Sequence, residues 1–155
     1  MKSFTTILAA IDFSENSDYA FNLAVTVATA FNSSLIVLHV IDNVVCEGGF
    51  YMPYPSIDPY SSINIVSLEK ELEESATAMM TRFCESRLAG FSNYKSSIEI
   101  GTPFREIIRM ADKTAASMIV LGTHGRSGLD RLLFGSTAER VVRGAHCSVL
   151  TVPMP

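Results

Sequence analysis

Short, unbroken apolar runs alternate with longer segments of helical periodicity along the chain, and this alternation restricts the fold more than any other feature. Thr6 to Ile11, Leu35 to Val40, Met118 to Leu121 and Val149 to Val152 are dominated by Ile, Leu, Val and Ala. A strand with one wet face alternates polar with apolar residues, whereas a strand covered on both faces reads as a continuous run. Ser97 to Ile100 reads as a further, shorter strand, third in chain order. Between the first two runs, Ala20, Leu23, Ala24, Val27, Ala28 and Phe31 recur at helical spacing, with Ser14 or Ser17 available as the cap. Val66 to Leu88 repeats the pattern through Leu68, Leu72, Ala76, Met79, Met80 and Phe83, the two methionines reading as core filler.

Gly101-Thr102-Pro103 supplies a turn, an N-cap hydroxyl and a proline at the first helical position. The helix that follows points Phe104, Ile107, Ile108 and Ala111 inward. A final helix over Ser136 to Arg143 ends at Gly144, and Pro153 stops the last strand. Strand alternating with helix makes a parallel sheet with helices on both faces. Right-handed crossovers then leave an open doubly wound α/β sheet of five strands, Rossmann-like, as the natural arrangement. One segment breaks the rhythm. Asn43 to Ile65 holds Gly48, Gly49, Pro53, Pro55 and Pro59 among Phe50, Tyr51, Tyr54 and Tyr60, and reads as an inserted loop, either a lid or a plain insertion.

The 155 residues fit one domain, with neither a repeat nor a linker to divide them. A net charge of −4 argues against a general nucleic-acid binder, which needs a basic surface to displace counterions. Cys46, Cys84 and Cys147 form no CxxC pair, which suits reduced thiols in a cytoplasmic protein. No signal-peptide pattern opens the chain, since the apolar run from Ile7 stops at Asp12. Tyr19 to Leu38 carries no formal charge, but Asn32-Ser33-Ser34 reads as a turn, so a helix and a buried strand explain it better than a membrane span. His146 beside Cys147 lacks any metal-ligand spacing, so no metal site built from side chains is expected.

In sheets of this kind ligands bind at the carboxyl ends of the strands where the strand order reverses. The first strand ends in Ile11-Asp12 and the fourth in Gly122-Thr123-His124-Gly125, so both are expected to point into one crevice. Gly122 and Gly125 lack a Cβ and let the backbone approach a ligand closely. Gly135-Ser136 stands at the start of a helix, where free N–H groups and the helix dipole favour an anion. Ser136 and Glu139 have the spacing of a capping box. Turn, second glycine and helix start after an apolar strand together point to a phosphate site. Each residue also has a plainer reading: Asp12 as a helix cap, His124 as an exposed turn residue, Arg126 as a partner for a surface carboxylate. His39 and His146 read as packed or interfacial.

Gly122, two residues, Gly125, nine residues, then Gly135-Ser136 resembles the ATP-binding signature of the universal stress protein family. The text GTHGRSGLDRLLFGSTAERVVRGAHCSVLTV is similar to that family nearly throughout, as are ILAAIDFSENSDYAFNLAV, LIVLHV and GTPFREIIRMA. The resemblance covers the chain except for the Asn43 to Ile65 insertion. It implies strand order 3-2-1-4-5, the adenine nucleotide alpha hydrolase-like arrangement, and a bound ATP. By position it implies that Asp12, with Ile11 beside it, contacts the nucleoside and that Val40 meets adenine through its backbone. It further implies that Gly122, His124 and Gly125 line the ribose and phosphates, and that Gly135, Ser136 and Thr137 hold the phosphate tail. Thr123 and Arg126 of the same loop are further candidate site residues, Arg126 as a charge-assisted donor to the phosphates. Mg²⁺ or Mn²⁺ bridging phosphate oxygens is expected with it. The same resemblance implies a homodimer through the Val149 to Val152 edge strand. Cys147-Ser148 departs from the Cys-Pro of many relatives.

The implied role is a nucleotide-dependent regulatory or stress-response module with a protein partner that the sequence does not name. A slow ATPase or phosphoryl-transfer enzyme is the rival reading, and a nucleotide-free adaptor the third. The chain has neither the GxxxxGK loop of phosphoryl-transfer proteins nor the GxGxxG of dinucleotide binders.

Overall fold

The structure is a computed structural model that describes residues 4–42, 65–123 and 135–154. Nine elements run in the order β1 (Thr6–Ile11), α1 (Glu15–Phe31), β2 (Ser34–Asp42), α2 (Ile65–Arg87), β3 (Tyr94–Gly101), α3 (Pro103–Lys113), β4 (Met118–Gly122), α4 (Ser136–Gly144) and β5 (Ser148–Val152). All pairings are parallel, and the sheet order is β3-β2-β1-β4-β5. This is the expected 3-2-1-4-5 α/β sheet. The order reverses at β1, whose neighbours are β2 and β4.

The pleat divides the core into two layers. Ile7, Ala9, Ile11, Leu35, Val37 and Val120 face α1 and α2 and pack with Phe21, Met80 and Phe83. Leu8, Ala10, Leu38, Ile119 and Leu121 face α3 and α4 and pack with Ile107, Met110, Ala138 and Val141. Ala20, Ala24 and Ala28 are buried on α1, and their small side chains let that helix lie close to the sheet. Phe21 fills the space beside them, with its ring 4.8 Å from that of Phe83, edge to face. Leu23 and Phe31, expected inside, face outward, and Met79 does too while Met80 is buried. The buried face of α1 runs through Asn16, Ser17, Ala20, Phe21, Ala24 and Ala28, which leaves Leu23 to one side of it.

β3 runs three residues earlier than Ser97, beginning at Tyr94. It is an edge strand, and its polar Lys95 and Ser96 hide the pairing of Tyr94 with Leu35 from a hydrophobicity reading. Ser14, not Ser17, caps α1: its hydroxyl accepts from the Ser17 amide at 3.2 Å, and the Ser17 hydroxyl donates back to the Ser14 carbonyl at 2.9 Å. Gly144 lies within α4 and not beyond it. A Cβ there would come within 2.8 Å of Ile108 Cδ1, the far end of a flexible side chain on α3. Among the described residues no helix is long and apolar enough to cross a membrane. The Asn43 to Ile65 insertion lies outside the described residues except for Ile65, which opens α2.

Candidate functional site

Alternation along the strands decides which side chains meet beyond the carboxyl edge of the sheet. Leu8 and Ala10 pack toward α3 and α4, so position 12 falls on that side of the sheet, as do Val40 and Asp42 after Ile36 and Leu38. β1 and β2 run in register, with Ile11 opposite His39. Asp12 and Val40 are therefore neighbours at the switch point. α4 starts on this same side: its N-cap is Gly135, and Ser136 and Thr137 form its first turn.

Beside these ends, between the end of β2 and the starts of α3 and α4, lies a cleft of about 200 Å³, which Asp12 and Val40 do not themselves line. Asp42 closes it from β2. Thr102, Pro103 and Phe104 line it from the start of α3, and Ser136, Thr137 and Arg140 from α4. Two helix N-termini thus open on one space. Neither is capped by a side chain, since Thr102 and Gly135 make no side-chain hydrogen bond to the first-turn amides. The free amides come mainly from α4, since Pro103 has no N–H and the Arg105 and Glu106 amides donate to the Thr102 carbonyl. With the positive ends of both helix dipoles they make the space attractive to anions.

The capping box expected of Ser136 and Glu139 is absent. With Gly135 as N-cap, Ser136 sits at the first helical position, one residue too far along to cap. Glu139 turns instead to Arg143, one helical turn on, at 3.5 Å. The first-turn amides of α4 are left to other partners by this shift. Thr102 is an N-cap with Pro103 after it, as expected, but its hydroxyl makes no cap bond.

Asp12 holds the β1–α1 connection: its carboxylate Oδ1 accepts from the Ser14 amide at 3.0 Å. The intervening Phe13 is left-handed, with φ of 61°, uncommon for an aromatic residue. Its ring lies 4.5 Å from the His39 ring and 5.8 Å from Phe83. His39 Nδ1 is 2.9 Å from the Ile11 carbonyl oxygen. His39 is packed, as its position between apolar neighbours suggests, and it braces the end of β1 from the α1 side.

Gly122 has a structural requirement of its own. A Cβ on it would lie 2.5 Å from Asn16 Oδ1 and 3.3 Å from the Asn16 carbonyl oxygen. The buried Asn16 side chain donates through Nδ2 to the Val152 carbonyl at 3.1 Å, and the Thr123 amide donates to the same oxygen at 3.0 Å. The Gly135 amide in turn donates to the Thr123 carbonyl at 2.6 Å. A chain of contacts from α1 through β5 and β4 thereby sets where α4 begins. Sequence reading missed Asn16, and its only signal was an amide side chain in the first turn of a helix that follows a buried strand. His124, Gly125 and Arg126 lie outside the described residues.

The strand order, the switch-point neighbours and the Gly122 to Gly135-Ser136 spacing converge with a match to the model of the universal stress protein family over residues 3–153. The chain belongs to the universal stress protein family. Among its relatives, universal stress protein A homolog 1 of Coxiella burnetii is 36% identical over 150 residues, covering 96% of this chain and 95% of that protein. Universal stress protein MJ0531 of Methanocaldococcus jannaschii is 32% identical over 153 residues, covering 98% and 84%. Of solved structures, the hypothetical protein MJ0577 superimposes with a TM-score of 0.79 at 25% identity, covering 99% of each chain. Two universal stress proteins with the same fold, at 24% and 18% identity and TM-scores of 0.59 and 0.57, were solved in complex with cAMP and dAMP, the second from Archaeoglobus fulgidus. Among the described residues of this universal stress protein, no three His, Cys, Asp or Glu side chains gather to hold a metal ion.

Proposed function

We propose that this chain binds an adenine nucleotide, ATP, and acts as a nucleotide-dependent regulatory module whose output is the bound state. The observation that carries this reading is the convergence of Asp12, Val40 and the uncapped start of α4 on one side of the sheet at its switch point. Asp12, with Ile11 behind it, contacts the nucleoside, and the Val40 backbone meets adenine. Gly122 and Thr123 bring the chain to the ribose and phosphates with His124, Gly125 and Arg126. Gly135, Ser136 and Thr137 offer first-turn amides to the phosphate tail. That relatives of the same fold hold cAMP and dAMP supports an adenine ligand.

A divalent ion, Mg²⁺ or Mn²⁺, accompanies the phosphates. The cleft suits it, because the Asp42 carboxylate and the Ser136 and Thr137 hydroxyls are the hard oxygen donors such ions take. Bound there, the ion neutralises phosphate charge. β5 forms an edge of the sheet, and pairing with β5 of a second copy gives the homodimer.

Melting the protein with and without Mg-ATP tests the reading. The expected result is a rise in Tm of several degrees at millimolar ATP, and no rise overturns it. Phosphate release distinguishes binding from catalysis: turnover above about one per second, inside the ordinary enzyme range, would replace the module by an ATPase.

A further inference from the structure

We propose that Arg140 is the residue by which this site tells a nucleotide triphosphate from a monophosphate, a specificity that rests on the nucleotide reading above. Ser136 and Arg140 are four residues apart and share one face of α4, with Thr137 three residues from Arg140 on its flank. All three line the same cleft. Side chains on a helix lean toward its N-terminus, so the guanidinium is carried back toward the first turn, where the uncapped amides are.

A second helix holds it there. Arg140 Cζ lies 5.0 Å from the centroid of the Phe104 ring, at the start of α3 on the opposite wall. A cation over an aromatic face keeps its position without spending N–H donors, so the guanidinium fork remains suited to a phosphate. Of the described residues that line the cleft, Arg140 carries the positive charge. Arg143, one turn nearer solvent, pairs with Glu139. Arg105 lies 5.7 Å from the same Phe104 ring but does not line the cleft.

On that reading the α-phosphate lies beside Gly122 and Thr123 at the end of β4, and the β- and γ-phosphates reach the α4 amides with Arg140 beside them. A monophosphate stops short of that cleft. Substituting the exposed Arg140 leaves the core intact, so binding can be compared in folded proteins.

Calorimetric titration of wild type, Arg140→Ala and Arg140→Lys with Mg-ATP and with AMP tests the proposal, with the ligand-free Tm of each as the folding control. Arg140→Ala should weaken Mg-ATP by about tenfold, the loss of one charge-assisted contact, and AMP by less than about twofold. Arg140→Lys should recover part of the ATP affinity, since it keeps the charge and loses the fork. Unchanged ATP affinity in Arg140→Ala, or equal losses for ATP and AMP, overturns the role of Arg140 alone. A wild-type protein that binds neither ligand overturns the nucleotide reading, and the proposal falls with it.

Discussion

Replacing Gly122 by alanine probes the contact that joins the fold to the site. The added Cβ would meet Asn16 Oδ1 at 2.5 Å, well inside any ordinary contact, and the Asn16 carbonyl oxygen at 3.3 Å. The backbone at Gly122 is not left-handed, so conformational strain plays no part. The Asn16 side chain must move, which stretches or breaks its hydrogen bond to Val152, worth about 0.5–1.5 kcal/mol. Crowding of a packed core adds about 1–3 kcal/mol, and the reduced entropy of the unfolded chain returns about 0.4–1. Gly122→Ala is thus expected to destabilise by about 2 kcal/mol, which lowers Tm by roughly 4–8 °C. Asn16→Ala alone should cost about 1 kcal/mol through the lost bond. In that background the most severe clash is gone, so adding Gly122→Ala should cost less than about 1 kcal/mol. Urea denaturation of the two single variants and the double variant measures the cycle, provided that the slope m stays constant. The double variant should lose about 1 kcal/mol less than the sum of the singles. Additivity within about 0.5 kcal/mol would show that Asn16 is not what Gly122 makes room for.

Phe21→Ala removes a fully buried ring and its edge-to-face contact with Phe83, and should cost about 3–5 kcal/mol by the same denaturation assay. Ser136→Asp places a carboxylate at the first position of α4, so the ligand-free protein should gain about 0.3–1 kcal/mol while its ATP-induced rise in Tm disappears. A variant that still responds fully to ATP would place the phosphates elsewhere. Burial pushes the Cys84 thiol above its ordinary pKa, so the unfolded chain loses this proton first. The contribution of Cys84 to stability is therefore complete below about pH 8.5 and falls as pH rises beyond it. Native protein at pH 8 should resist iodoacetamide at Cys84, read by peptide mass, and protein in urea should not.

The continuous apolar runs of β1, β2, β4 and β5 carried the fold in the sequence, because strands covered on both faces, as β1, β2 and β4 are, read as short unbroken runs; β5, at the edge, is only partly buried. Their parallel direction followed from the helices between them, and the order 3-2-1-4-5 from the family resemblance. The glycine spacing after β4 pointed to the segment between β4 and α4, from which the proposed phosphate contacts come. Local pattern failed where a neighbour from far along the chain made the decision. Leu23 faces outward because α1 is rotated to meet the sheet through Ser17, Ala20, Phe21, Ala24 and Ala28. Ser136 and Glu139 form no capping box because the Thr123 carbonyl engages the Gly135 amide and α4 begins one residue early for it. Asn16 and Gly122 are more than a hundred residues apart, and their contact exists only once β4 and β5 lie beside β1 and α1. Arg140 reads in the sequence as one more surface charge on a helix. Its place over Phe104, at the mouth of two helix ends, arises from the packing of α4 on α3. Periodicity and spacing are local quantities, and they determined the elements. Which side chains share a cleft depends on the pleat and on the crossovers, and tertiary structure alone decided that.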